Sequence, residues 1–325
     1  MTRGVVDSLP EATRQKRGLD QLNVELLEDT DSFAHEACPT PPEGRMTGDA
    51  YKPTGKRATS FHEKLKSERH FHDEWARTID PETVLVKESF EAVTAIENRF
   101  VLSRLGEIRG KRMLDVGCGS GEAAIYFAQR GAVVTALDIS GAFLRVVAAL
   151  SRKHGTPVSA IIAPVEFLPF PDETFDIVYG NAVLHHVEFQ EAMREVHRVL
   201  KPGGRAFFIE PLAYNPVINV YRRMAGTMRT PDEKPLALAN VRRLHGLYRS
   251  VDHKEFWLLA QLVFVWFFVG MRTHPARERY WKKVIYDADK IAWLFRPLSA
   301  ADRVIMKLFP FVNRLCWNTV VCLQK

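Results

Sequence analysis

The sequence predicts an α/β fold in which a mostly parallel sheet carries helices on both faces. Two observations predict it. Between about residues 112 and 211, apolar runs of strand length alternate with amphipathic stretches of helix length, which is the pattern of βαβ units. The first of these strands also ends in a glycine turn, within the string MLDVGCGSGE at 113–122. A strand, a tight turn and a helix N-terminus in that order predict a ligand site at the edge of the sheet.

The glycine turn is the element most typical of ligand binding. Gly117, Gly119 and Gly121 alternate with other residues, and a helix-forming stretch begins at Glu122. Glycine tolerates positive φ and has no Cβ, so a ligand can lie against the backbone. The helix N-terminus adds free N–H groups and a partial positive charge. Such a turn serves several nucleotide cofactors, and a purely structural glycine turn is the alternative.

Two acidic residues narrow the choice of ligand. Asp115 stands two residues before the first glycine, where it would repel a phosphate and attract an amine. A second buried strand, 133–137, ends in Asp138, whose carboxylate can accept hydrogen bonds from both hydroxyls of a ribose. The ligand implied has a ribose and a positively charged portion without phosphate. S-adenosylmethionine fits this description better than NAD.

Four motifs carry a resemblance to a known family. LDVGCGSGE and VTALDIS resemble the first two motifs of the class I S-adenosylmethionine-dependent methyltransferases. LPFPDETFDIVYGNAVLHHV (168–187) and LKPGG (200–204) resemble later motifs of the ubiquinone and menaquinone methyltransferase subgroup. The resemblance covers roughly residues 70–211. It implies a Rossmann-like, seven-stranded, mostly parallel sheet whose last strand is antiparallel, a helical lid ahead of the first strand, and an enzyme that uses S-adenosylmethionine.

The resemblance also indicates the cofactor-binding residues. One departure concerns adenine, because Pro164 stands where relatives carry an acidic residue that accepts from the adenine amino group. Adenine recognition would then depend on the Val165 backbone N–H and on apolar packing, with Glu166 as a substitute. Cys118 occupies a slot that requires a small side chain. The predicted cofactor-binding residues are Asp115, Gly117, Cys118, Gly119, Gly121, Asp138, Ile139, Val165, Glu166 and Asn181.

Candidate catalytic residues follow the fourth and fifth strands. His185 resembles the family residue near the methionine end of the cofactor, whereas His186 is expected to pack inward. A histidine there could act as general base toward a hydroxyl acceptor, and a structural histidine is the alternative. Glu210, at the end of strand five, is the other candidate for acid/base work or acceptor orientation. We expect no metal site, because adjacent histidines point differently and no third ligand is spaced to join them.

The chain ahead of the first strand divides into two parts. Residues 1–58 are polar and rich in proline around position 40, which predicts a disordered tail before a methyltransferase domain over 59–325. Helices predicted over about 61–79 and 83–105 form the lid in the family, with His70, His72, Asp73 and Trp75 as candidates for lining the pocket. A packed surface helix is the alternative. No apolar signal sequence or metal-like cysteine spacing is seen, which predicts a cytoplasmic location.

The C-terminal third departs from a minimal methyltransferase. The chain from Tyr214 onward contains 19 Lys and Arg but only 8 Asp and Glu. This excess of positive charge indicates an anionic partner or, as the alternative, a solvated basic surface. Residues 256–271 are apolar nearly all round but shorter than the ~20 residues of a membrane span. Three interpretations of this apolar run remain open. It is a buried core helix, a helix that lines a lipophilic pocket, or a helix that inserts into a membrane interface. Residues 258–314 are predicted to be a helical insertion whose aromatic and basic residues suit an anionic membrane surface.

These observations favour methyl transfer to a lipophilic small molecule, such as a lipid, a quinone-like ring or a hydrophobic secondary metabolite. Carbon, nitrogen and oxygen acceptors all remain open. An RNA methyltransferase is an alternative suggested by the isoelectric point near 9.1, but no RNA-binding module is seen. A non-catalytic scaffold that binds S-adenosylmethionine is a further alternative. Pro164 favours it, whereas the intact glycines and Asp138 argue against it.

Overall fold

The computed structural model describes residues 56–226, 229–230 and 233–325, with side chains from residue 61 onward. The tail predicted over 1–58 lies outside the described residues except for its last three positions. Those three positions belong to a helix that begins at Lys56.

Seven strands form one sheet in the order β3-β2-β1-β4-β5-β7-β6. Neighbours from β3 to β5 are parallel, and β7 runs antiparallel to both β5 and β6. The predicted fold, a mostly parallel sheet with an antiparallel last strand, is confirmed. The strands are β1 Arg112–Val116, β2 Val133–Asp138, β3 Ser159–Ile162, β4 Phe175–Asn181, β5 Leu200–Pro211, β6 Ser250–Phe256 and β7 Asn318–Gln324.

Helices cover both faces of this sheet. The central strands are buried on both faces, which explains their nearly continuous apolar runs. Leu114, Val178 and Phe208 are fully buried in the core between the sheet and its helices. The helices are α1 Lys56–Arg77, α2 Glu88–Glu91, α3 Ile96–Leu105, α4 Glu122–Gln129, α5 Gly141–His154, α6 Phe189–Val199, α7 Pro216–Met224, α8 Leu238–Arg243, α9 Leu262–Val269, α10 Tyr280–Tyr286 and α11 Ala288–Leu308.

The prediction of a single helix over 83–105 was wrong. The segment divides into α2 and α3, and Thr94 lies between them. Thr94 Oγ1 donates to the carbonyl of Val284 (2.7 Å), and such a bond competes with helical hydrogen bonding. It attaches this segment to α10 of the C-terminal part. Asn98 Nδ2, on α3, donates to the carbonyl of Ser89 on α2 (2.7 Å) and so connects the two helices.

No glycine caps the C-terminus of α6. The helix ends at Val199, and Leu200 is already extended (φ −71°, ψ 138°) and pairs with Phe175. Gly203, at φ +74°, lies where the pairing register of β5 with β4 shifts. The chain therefore passes from helix to strand without a loop.

Three helices, α9, α10 and α11, lie between β6 and β7 in the chain. The apolar run 256–271 forms only the helix Leu262–Val269. Val263, Phe264 and Phe267 are buried in an aromatic cluster with Trp257, while other apolar side chains of the same helix stay exposed. Every helix in the described part of the chain is too short or too polar to cross a membrane.

Candidate functional site

A cavity of about 380 Å³ lies at the carboxyl ends of β1, β2 and β4. The strand order reverses direction between β1 and β4, and open α/β sheets bind ligands at such a point. The glycine turn forms its floor and α1 one wall. Side chains of α7, α10 and the β6–α9 loop complete it.

The glycine turn has the backbone that the sequence predicts. Gly117, Gly119 and Gly121 all have positive φ. A Cβ on Gly117 would lie 2.5 Å from Val183 Cγ2, whereas a Cβ on Gly119 would meet nothing within 4 Å. Gly117, Cys118 and Gly119 line the cavity. Gly121 is not among the residues that line the cavity, and a Cβ there would stand 2.8 Å from Val147 Cγ2, so the missing side chain also serves helix packing. Its role in cofactor binding stays a prediction.

Asp138 and Asp115 both lie beside this turn. Asp138 Oδ2 accepts from the Gly119 N–H (3.0 Å) and Oδ1 from the Ser140 N–H (2.9 Å), so the carboxylate orders the turn. Asp115 is buried, and its Oδ2 has no hydrogen-bond partner among the described residues. Burial, with the charges of Glu122 and Asp138, holds the pKa of Asp115 well above its usual value. A buried carboxylate oxygen facing a cavity favours a cationic ligand, which the ammonium of S-adenosylmethionine would supply.

Val165 and Glu166, the residues predicted for adenine, line the same cavity. Ile139 and Asn181, which were also predicted to bind the cofactor, line it too. Glu166 Oε1 accepts from the Glu188 N–H (2.8 Å), while its buried Oε2 has no hydrogen-bond partner in the described structure. Burial raises the pKa of Glu166. The free oxygen is placed to accept from an amino group, so the residues present fit S-adenosylmethionine at this end too. The individual binding roles stay predictions.

His185 and Glu210 form a buried pair. His185 Nδ1 lies 2.8 Å from Glu210 Oε2, and Glu210 Oε1 accepts from the N–H groups of Val183 and Leu184. Glu210 was predicted to face the pocket, and this was wrong. The side chain is fully buried behind the loop whose N–H groups it accepts, and it reaches the cavity only through His185. Burial raises the pKa of Glu210 to about 7 and lowers the pKa of His185 to about 3.

His186 also differs from its prediction, because it faces the lid helix rather than the interior. His186 Nδ1 lies 3.1 Å from Glu68 Oε2, and His72 Nε2 lies 3.5 Å from the same oxygen. Burial and the neighbouring His185 lower the pKa of His186 to about 4. Burial alone would raise the pKa of Glu68, but the two histidines hold it below its usual value.

The argument that no third donor joins the histidine pair was wrong. Helix α1 brings Glu68 and His72 to His186, with one donor atom of each within 4.8 Å of the others, and His185, His186 and Glu233 form a similar group. Either group could hold a metal ion. That the site uses none stays a prediction.

Of the four lid residues singled out, the structure places two in the site. His72 and Trp75 line the cavity. His70 is exposed. Asp73 instead caps α5, where its Oδ1 accepts from Ser140 Oγ (2.6 Å) and from the Ala142 N–H (3.2 Å).

Several cavity residues were missed. Arg222 and Arg229 line it, as do Glu68 and Lys282. Glu68 could have been found, because it stands one helical turn before His72 on the same helix face. Nothing local in the sequence distinguishes Arg222 from its neighbour Arg223, since only the folded helix shows which of them faces inward.

Comparisons with known proteins match the part of the chain that carries the four motifs. Residues 114–208 match a family model described as "Methyltransferase domain". A malonyl-[acyl-carrier protein] O-methyltransferase of Pseudescherichia vulneris is 37% identical over 109 residues, covering 33% of this chain and 42% of the relative. A ubiquinone/menaquinone biosynthesis C-methyltransferase of Yersinia enterocolitica is 38% identical over 125 residues, covering 36% of this chain and 49% of the relative. The matched part therefore spans about half the length of these relatives.

Solved structures share the fold. A phosphoethanolamine N-methyltransferase of Haemonchus contortus is similar with a TM-score of 0.50 at 17% identity, over 79% of this chain and 59% of that chain. The resemblance to class I S-adenosylmethionine-dependent methyltransferases is confirmed by the family model and the sequence relatives. S-adenosylmethionine is the cofactor of the matched domain.

Proposed function

We propose that the protein transfers a methyl group from S-adenosylmethionine to a lipophilic small molecule. One observation carries the proposal: the cofactor turn and an apolar aromatic wall line the same cavity. Ile218, Tyr221, Trp257 and Trp317 form this wall, and all four are buried within one aromatic cluster. Ligand pockets of this kind take most of their binding energy from apolar contact.

The relatives support a lipophilic acceptor. The names of two of them specify ubiquinone/menaquinone biosynthesis and a malonyl-acyl-carrier protein. The first name indicates a quinone and the second an acyl carrier, so an apolar acceptor body agrees with both. Since this chain matches only about half of each relative, the acceptor is inferred from the wall of the cavity rather than from these names.

The chain's own residues hold the cofactor and close the cavity in this reaction. S-adenosylmethionine, when bound, supplies a methyl group already activated on a sulfonium. The protein therefore needs chiefly to orient the reactants and exclude water. Asp115 and Asp138 would hold the cofactor's ammonium and ribose. The lid helix α1 contacts His186 through Glu68 and so closes one side of the cavity.

His185 is our candidate general base. The ionised carboxylate of Glu210 would accept a hydrogen bond from the Nδ1–H of His185 and leave Nε2 as the lone-pair nitrogen of a histidine that lines the cavity. The low pKa of His185 keeps this nitrogen unprotonated at neutral pH. A base here would remove a proton from a hydroxyl or acidic carbon acceptor as methylation proceeds.

A labelling experiment tests the proposal. The full chain is incubated with methyl-labelled S-adenosylmethionine and a cell extract, and label is counted in organic, RNA and protein fractions. We expect label in the organic fraction, lost in Asp138→Ala and kept in Asp289→Ala, a control on an exposed helix position. Label in RNA, or none from a protein that binds S-adenosylmethionine, would sink the proposal.

We also infer that the outer surface of the insertion contacts an anionic membrane. This surface comprises the exposed residues between Leu262 and Leu315. Its exposed charged residues are Arg272, Arg277, Glu278, Asp289, Lys290, Arg296, Arg303, Lys307 and Arg314, seven basic against two acidic. Its exposed large apolar residues are Leu262, Val265, Trp266, Phe268, Val269, Met271, Tyr286, Trp293, Val304, Leu308, Phe309, Phe311 and Leu315. Basic side chains beside exposed aromatic ones suit the headgroup region of anionic lipids.

A further inference from the structure

Arg222 is a half-buried cation that forms no ion pair with the acidic residues that the structure describes. It lies on α7 and lines the cavity. Its Nη1 donates to Asn219 Oδ1 (2.8 Å), but Nε and Nη2 are buried and have no hydrogen-bond partner among the described residues. Burial, with the charge of Arg229, lowers the pKa of Arg222 to about 10. The guanidinium therefore stays charged at neutral pH.

The acidic groups at this end of the cavity have other contacts. Arg229 forms an ion pair with Glu233, and Glu68 Oε2 lies 3.1 Å from Nδ1 of His186. Glu210 contacts His185 and accepts from two backbone N–H groups. Among the described residues, no acidic side chain forms an ion pair with Arg222, and the neighbouring charge that shifts its pKa is the cation Arg229.

An uncompensated buried guanidinium is unfavourable, because desolvation removes its hydration without supplying an anion. The two unused donors, Nε and Nη2, lie on one edge of the guanidinium plane. That edge presents two parallel N–H groups, the arrangement that binds a carboxylate or phosphate in bidentate fashion. An anionic group at this position would satisfy both donors and the charge at once.

We propose that the acceptor carries a carboxylate or phosphate group that binds the Nε–Nη2 edge of Arg222, while its apolar body packs against Ile218, Tyr221 and Trp257. This inference rests on the proposed function and deepens it, because it names the acceptor class as an amphiphilic anion. Arg229 also lines the cavity, but Glu233 neutralises its charge. Anchoring the anion at Arg222 fixes the depth to which the acceptor enters and hence which atom meets His185.

Calorimetry with chain-matched probes tests this subsite. The ligands are decanoate, decyl phosphate and decan-1-ol, added below their aggregation limits to the full chain in the presence of S-adenosylhomocysteine. The variant is Arg222→Gln, and the control is Arg223→Gln, which removes the exposed neighbouring charge on the same helix. Arg222→Gln should fold, because it removes a buried charge that has no anionic partner.

We expect the wild type and Arg223→Gln to bind at least one anion about tenfold or more tightly than the alcohol, a difference of about 1.4 kcal/mol. Arg222→Gln should lose this preference while binding S-adenosylhomocysteine as before. The tighter of the two anions identifies a carboxylate or a phosphate acceptor.

Two results would overturn the subsite. One is equal binding of all three probes, or binding of none, by a wild type that binds S-adenosylhomocysteine. The other is an anion preference that survives in Arg222→Gln. Failure of the wild type to bind S-adenosylhomocysteine would instead contradict the proposed function, so the two failures are distinguishable.

Discussion

His185 Nδ1 lies 2.8 Å from Glu210 Oε2, and the same carboxylate accepts from the N–H groups of Val183 and Leu184. One buried side chain therefore fixes both the ring and the backbone of the loop after β4. A carboxylate behind a histidine selects the tautomer that leaves Nε2 free to accept a proton. Glu210 is thus a positioning residue, and His185 is the group that would meet the acceptor.

Replacing Glu210 with Gln should lower kcat by about 10² to 10⁴, because the base loses its tautomer and orientation. The wild-type rate should also rise with pH through about 7, where Glu210 ionises. That rise should be absent from the variant, and binding of S-adenosylmethionine should change little. Steady-state rates between pH 5.5 and 9 measure both effects, with Glu278→Gln as an exposed control. A pH profile shared by variant and wild type would contradict this role.

Substitutions at two glycines with similar φ distinguish the effect of backbone strain from that of a steric clash. Gly117→Ala should weaken S-adenosylmethionine binding at least tenfold, because its Cβ would lie 2.5 Å from Val183 Cγ2. Gly110→Ala is the matched control, since it has a similar φ of +72° but nothing within 4 Å of a Cβ. The control should cost only ~1 to 2 kcal/mol of stability through strain. Calorimetry and thermal unfolding would measure the two effects, and equal losses of binding would refute the steric argument.

The sequence predicted the sheet well because local chemistry decides it. β2 and β4 are short apolar runs that end in Asp138 and Asn181, and the glycine turn after β1 requires its positive φ whatever lies nearby. The break in the helix predicted over 83–105 could not be predicted in the same way. This break depends on a hydrogen bond from Thr94 to Val284, which lies 190 residues away in the chain. Periodicity records which side chains are apolar but not which distant carbonyl a threonine meets.

The cofactor half of the candidate site followed from the sequence, whereas the acceptor half did not. Asp115 stands two residues before the turn, and Asp138 ends the strand that pairs with β1, so the first two motifs contain their geometry. Glu68 enters the cavity from α1, ahead of the four motifs, and Arg222 enters it from α7, after them. Their orientation depends on tertiary packing, and no local pattern encodes it.

Asp302 should stabilise the insertion through the backbone of residues 258–260. Its carboxylate accepts from the N–H groups of Leu258 (3.0 Å), Leu259 (2.6 Å) and Ala260 (3.3 Å). Asp302→Ala would leave these donors unsatisfied at a cost of ~2 to 4 kcal/mol. Asp289→Ala, at an exposed position on the same helix, should change stability by less than ~0.5 kcal/mol. Urea unfolding measures both, and similar midpoints for the two variants would exclude the effect.

His186 should make the fold sensitive to acid. Its pKa is about 4 in the folded chain against 6.5 ordinarily, so the folded state binds fewer protons than the unfolded state between these values. Its contribution to stability is therefore complete above pH 6.5 and is lost as pH falls toward 4. Between pH 6.5 and 5 the loss is at most ~2 kcal/mol. His186→Asn should show a smaller loss than the wild type in urea unfolding, and His274→Asn, at an exposed position, should not. An unchanged loss in His186→Asn would contradict the shift.

The outer surface of the insertion should bind anionic vesicles. Val269 and Phe311 are 67% and 69% exposed, so Val269→Glu with Phe311→Glu removes apolar contact and adds repulsion from anionic lipid without disturbing the core. We expect the double variant to lose binding to phosphatidylglycerol vesicles in a flotation assay. Val133→Glu is the control, because Val133 is 60% exposed on β2, outside the insertion. Binding of the wild type should weaken as salt rises, since basic side chains supply part of the attraction. Equal flotation of the double variant and the wild type would mean that this surface does not meet the bilayer, and the exposed apolar residues would then indicate a protein partner instead.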